Sequence, residues 1–89
     1  MSDEVAAMPD LKSEFELLLF FWVLDRIQLL EPGIAYTLEQ ICGAEFWSEL
    51  EGDDHVPAGR FIGRMVRGKF LNLNHAGRDV HNAALYVRA

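Results

Sequence analysis

A single cysteine, Cys42, occurs among the 89 residues. An intrachain disulfide is therefore impossible, and the chain does not read as a disulfide-stapled secreted domain. Cys-x-x-Cys and His-x-x-x-His pairs are both missing, and His55, His75 and His81 lie in separate loops and a hairpin. Zinc needs about four converging ligands, so neither a metal nor another cofactor is expected. The longest uninterrupted apolar run, LLLFFWVL from Leu17 to Leu24, has eight residues, far short of the ~20 that cross a bilayer. The opening MSDEVAAMPD is acidic and lacks the basic region of a signal peptide. Together these absences predict a soluble cytoplasmic protein with no membrane contact.

Positive charge is scarce and unevenly placed. Residues 1–54 hold thirteen acids and two bases, a balance of −11. Residues 55–89 hold six bases and one acid, a balance of +5, which brings the whole chain to −6. Half of the positive charge sits in AGRFIGRMVRGKF, Ala58 to Phe70, which has four bases and no acid. Such asymmetry points to one surface for an anionic partner. The plainer alternative is that the two ends of the chain attract each other.

What is present suits one small core. A length of 89 residues with 51% hydrophobic and 25% charged residues predicts a single domain over 10–89 after a loose tail over 1–9. Ser13 or Asp10 can cap a first helix that runs to about Leu30, before Pro32-Gly33. Its apolar residues, Leu11, Phe15, Leu17 to Leu24, Ile27, Leu29 and Leu30, occupy most of the circumference. A helix apolar nearly all round needs cover on more than one side. A second copy of the chain is the expected cover, with Phe15, Leu18, Phe21 and Trp22 at the dimer contact.

Ile34-Ala35-Tyr36 reads as a short strand. Thr37-Leu38-Glu39-Gln40 fits a capping box for a second helix, with a break at Gly43. Asp54 and Pro57 open a third helix, Val56 to about Arg67, that stops at Gly68. Phe70 to Asn74 and Ala84 to Arg88 alternate at period two and form a hairpin with a polar tip, His75 to Asp79. In that hairpin Leu71, Leu73, Leu85 and Val87 are expected to face the core, with Asn72, Asn74, Tyr86 and Arg88 opposite.

On a wheel of ~100° per residue, Arg60, Arg64 and Arg67 share an arc of about 60°. Phe61, Ile62, Met65 and Val66 lie on the other side, and Gly59 and Gly63 lie on the seam. Each glycine costs a helix roughly 1 kcal/mol relative to alanine. Close approach of another backbone would offset that cost.

Catalytic chemistry is not expected. Cys42 sits on the apolar face of a helix, where a structural role is the simpler reading. Asp53 and Asp54 beside His55 read as solvated caps in a turn. The glycines of AGRFIGRMVRG lack the leading strand and the Gly-Lys-Ser/Thr end of a phosphate loop. Trp22 and Trp47 read as core.

The order helix, strand, helix, helix, strand, tip, strand resembles the winged-helix domain, an α+β fold of three helices, a short strand and a C-terminal hairpin wing. The resemblance implies that the third helix enters the DNA major groove and that the wing touches the backbone or minor groove. It makes Arg60, Arg64 and Arg67, with Lys69 and Arg78, the nucleic-acid contacts, and puts His75, Arg78 and His81 in the wing. The run EPGIAYTLEQICGAEFW, then HVPAGRFIGRMVRG, then NAALYVR also resembles a family of short, uncharacterised bacterial and phage domains.

Three functions follow as expectations. The first is a dimeric regulatory module that binds DNA through the arginine face and the wing. The second is a protein-interaction module, such as a phage or mobile-element protein that blocks a host factor through its acidic half. The third is structural, with the arginines paired to Glu45, Glu49 or Glu51.

Overall fold

The computed structural model describes residues 13–50 and 52–89. The expected tail over 1–9, the domain start at residue 10, and the positions Asp10, Leu11 and Glu51 lie outside the described residues. Helix α1 spans Glu14–Ile27, and the Ser13 hydroxyl caps it by accepting from the Glu16 amide at 3.2 Å. Glu14 and Glu16 in its first turn and Arg26 in its last oppose the helix dipole. The helix ends three residues before the expected Leu30. Gln28, Leu29 and Leu30 instead bond to carbonyls three residues back. That tightening satisfies the last carbonyls before Pro32 bars further helix.

Gly33, at φ 85°, turns the chain into strand β1, Ala35–Thr37. The expected capping box forms at Thr37 and Gln40 and starts α2, Leu38–Cys42. Gly43 adopts φ 94°, which breaks the helix and starts α3, Ala44–Glu49. The expected second helix is therefore two. A 3-10 turn, Gly52–Asp54, leads into α4, His55–Arg67. The expected stop at Gly68 holds, but for a different reason. The left-handed residue is Lys69, at φ 66°, while Gly68 keeps φ −82°. A Cβ on Gly68 would come within 2.9 Å of the Phe70 ring, so space and not backbone angle selects glycine.

Strands β2, Leu73–Arg78, and β3, Ala84–Arg88, complete an antiparallel sheet of order β1-β3-β2. The protein is α+β, with four helices and a three-stranded sheet among the described residues. Two expectations about the hairpin are corrected. The ladder continues through the expected tip, and the turn sits at 79–83. There the Asp79 carboxylate accepts the amides of His81 and Ala83, each at 2.9 Å, and Asn82 takes φ 67°. Local carboxylate-to-amide bonds of this kind fix a turn where alternation alone cannot.

The second correction inverts β3. Tyr86 is 2% exposed and belongs to the core, while Leu85 and Val87 are half-buried on the opposite face. β3 is the central strand, and its outward Leu85 and Val87 are apolar and partly buried like its inner side, so alternation does not mark which side faces the core. Its partner across β2 is His75, and Leu73 faces Arg88. The Arg88 guanidinium is used within the fold, donating to the Leu30 carbonyl at 2.9 Å.

One core joins Leu19, Val23 and Ile27 of α1 to Ile41 and Cys42 of α2 and to Phe61, Ile62 and Val66 of α4. No buried side-chain polar atom among the described residues lacks a partner. None of the helices among these residues is long and apolar enough to cross a membrane.

Candidate functional site

Helix α4 has two unlike faces. Ala58, Phe61, Ile62, Met65 and Val66 are buried. Arg60, Arg64 and Arg67 are exposed, as their shared arc requires. Gly59 and Gly63 lie on the flank that turns towards the hairpin. A Cβ built on Gly63 would sit 3.9 Å from the Tyr86 hydroxyl and 3.3 Å from the Arg67 guanidinium. A Cβ on Gly59 would meet nothing within 4 Å.

This flank borders an open groove of about 1330 Å³. One wall is α4, with Arg60, Gly59, Gly63 and Arg67. The other is the hairpin, with His75, Arg78 and His81, and the end is closed by Trp47 and His55. Four arginines line it against two carboxylates, Glu39 and Asp79. Asp79 already accepts two amide bonds in the turn.

Tyr86 links the two walls. Burial raises its pKa, while Arg67 from α4 and Arg78 from the hairpin both pull it down. The two guanidinium groups therefore act on one hydroxyl, although their residues lie in different elements. Sequence alternation misses Tyr86. The only signal for it was a large ring in a strand opposite a glycine-bearing helix.

The expected nucleic-acid contacts separate. Arg60, Arg64, Arg67 and Arg78 all line the groove, and neither Arg60 nor Arg67 makes an ion pair among the described residues. Arg78 also holds the turn, donating to the Asn82 carbonyl at 2.9 Å. Arg64 is engaged besides, pairing with Glu16 of α1 at 3.4 Å. With Arg64 half exposed, such a pair is worth at most about 1 kcal/mol. Lys69 is exposed just beyond the helix and does not line the groove. The expected internal partners Glu45 and Glu49 instead border a smaller cavity beside Arg26.

The expected dimer residues also separate. Leu18 and Phe21 are 62% and 47% exposed. Phe15 and Trp22 pack against the core. Trp22 stacks on Phe46 with centroids 4.7 Å apart and donates its indole N–H to the Cys42 carbonyl at 2.9 Å. Arg26 donates to the neighbouring Ile41 carbonyl at 3.0 Å. Together they satisfy the last carbonyls of α2, which a helix ending at a glycine leaves open.

Cys42 lies beneath those two contacts. Burial pushes its thiol up to about 12 from an ordinary 9.0, with Arg26 opposing weakly. A thiol held protonated at neutral pH is a poor nucleophile. Alkylation at pH 8 will be negligible in the folded protein and complete in urea. Cys42→Ala will lower stability by about 1–2 kcal/mol, read from urea melts. Above pH 9.0 the unfolded thiol ionises while the folded one does not. Its contribution to stability is therefore lost as the pH climbs towards 12.

His55 stacks on Trp47 at 4.5 Å and contacts the Trp47 carbonyl, and His75 packs against Tyr86. No three of His, Cys, Asp and Glu converge as metal ligands would among the described residues. Comparison with protein-family models, curated proteins and solved structures found no match.

Proposed function

We propose that the chain is a small nucleic-acid-binding regulatory module built on a winged-helix-like scaffold. The groove between α4 and the hairpin receives a sugar–phosphate backbone of duplex DNA. Arg60 and Arg67 meet phosphates from one wall and Arg78 from the other. The observation that carries this reading is the glycine flank between those arginines. Gly59 faces empty space, so internal packing does not account for it. Its cost to the helix, roughly 1 kcal/mol, is offset only when something outside the fold lies against α4. A strand of backbone, close and negatively charged, fits both the missing side chains and the arginines.

A duplex suits the groove better than a single strand. Single-strand sites offer exposed rings on which bases stack. Here the Trp47 ring is paired with His55 and Tyr86 is buried.

Titration of a 20-base-pair duplex into the wild type, read by fluorescence anisotropy, tests the reading. Affinity should fall steeply with salt, with a slope near −0.9 per phosphate contact. Gly59→Ala supplies a sharper test because its two effects have opposite signs. It should raise stability by about 0.5–1 kcal/mol, from helix propensity. It should also weaken DNA binding about tenfold, because the new methyl stands where the backbone lies.

A second reading keeps the scaffold and changes the partner. Glu14, Asp25, Glu31, Glu39, Glu45 and Glu49 are all exposed. They favour a protein-interaction module that holds a basic protein surface, such as a host or phage factor. That reading expects no affinity for DNA at low salt.

A further inference from the structure

The outer side of α1 carries an apolar stripe that the other described residues leave exposed. Leu17, Leu18, Phe21 and Leu24 are 44%, 62%, 47% and 39% exposed, and Leu29 just beyond the helix is 70% exposed. Leu17, Phe21 and Leu24 follow one another at spacings of four and three, the repeat of a helix–helix seam. The inner side of the same helix is already used by Leu19, Phe20, Val23 and Ile27. Taking roughly 200 Å² as the full area of each such side chain, the five residues expose roughly 500 Å² per copy. Two copies would bring together roughly 1,000 Å², the size at which a specific interface becomes credible.

Charge selects the occupant and its direction. The polar residues beside the stripe are Glu14, Asp25 and Gln28, all exposed. The helix's one base, Arg26, is turned inward to the Ile41 carbonyl. Parallel copies would set Glu14 against Glu14 and Asp25 against Asp25, which repel. An antiparallel copy related by a twofold axis at Phe21 sets Phe21 on Phe21 and Leu18 on Leu24. It places Glu14 opposite the neutral Gln28 and Asp25 opposite Leu17, so no two carboxylates face each other.

We propose that this stripe is the interface of a twofold dimer in which α1 packs antiparallel on α1 of a second copy. The dimer does not depend on what fills the groove. Sedimentation velocity of the full chain over the micromolar range should show a dimer. Phe21→Glu should move the dissociation constant by at least about 100-fold towards monomer, with its melting curve retained. Leu18→Lys, at a more exposed position, should do the same and stands in if Phe21→Glu does not fold. Direction is read by oxidative cross-linking, which the buried Cys42 does not confuse. Phe21→Cys should form a disulfide-linked dimer and Glu14→Cys should not. A wild type that stays monomeric at high micromolar concentration overturns the proposal, and so does efficient cross-linking through Glu14→Cys.

Discussion

Replacing Arg60, Arg67 and Arg78 together with alanine should lower affinity for a 20-base-pair duplex by two to three orders of magnitude. The estimate rests on counterion release, at about 0.9 log units per phosphate contact for each tenfold change in salt. Three lost contacts should flatten the salt slope by about 2.7. The fold should survive, because exposed charges rarely contribute more than about 0.5 kcal/mol each. Arg78 is the exception in part. Its bond to the Asn82 carbonyl steadies the turn, and losing a bond of that kind costs about 0.5–1.5 kcal/mol. Arg64→Ala is the matched comparison. Its charge is already shared with Glu16, so its effect on DNA affinity should be the smallest of the α4 arginines. Anisotropy titrations at two salt concentrations, with melting curves on the same samples, separate binding from folding.

One residue along the helix the expected effect is of another kind. Phe61 is 1% exposed and among the largest fully buried side chains. It packs inward from α4 while Arg60 points into the groove. Phe61→Ala should cost about 3–5 kcal/mol, from lost burial and the cavity left behind. A domain of 89 residues has a total stability of only about 4–13 kcal/mol. The variant should therefore unfold at markedly lower urea, and at the low end of that range it should not fold at all. A Phe61→Ala protein with a wild-type midpoint would mean that α4 is not seated as described.

The division of α4 was legible in the sequence because a 3.6-residue period sorts side chains without help from the rest of the chain. The capping box at Thr37, the break at Gly43 and the end of α4 at Gly68 were legible for the same local reasons. The hairpin was not. Its central strand carries apolar residues on both faces, so Tyr86 and Leu85 could exchange sides without violating the pattern. Its turn position was set by the Asp79 carboxylate, which composition does not rank above the tip residues before it. The pairing of Arg64 with Glu16 spans 48 positions, and no local rule reaches that far. Gly59 was visible as a costly residue. Only the open space beside it in the structure sets aside tight internal packing as its reason. The apolar excess of α1 was visible too. That Trp22 and Phe15 serve the core, while Leu18 and Phe21 remain outside, depends on where α2 and α3 fold back.

The most direct measurement is a ¹H–¹⁵N correlation titration of the wild-type protein with a short DNA duplex at low salt. Amide shifts should concentrate on Gly59, Arg60, Gly63 and Arg67 of α4 and on Gly77, Arg78 and His81 of the hairpin. Gly33, in the turn before β1, should stay still. Added salt should reverse the shifts. A spectrum unmoved by DNA, or shifts confined to the outer side of α1, would contradict the assignment of the groove to nucleic acid.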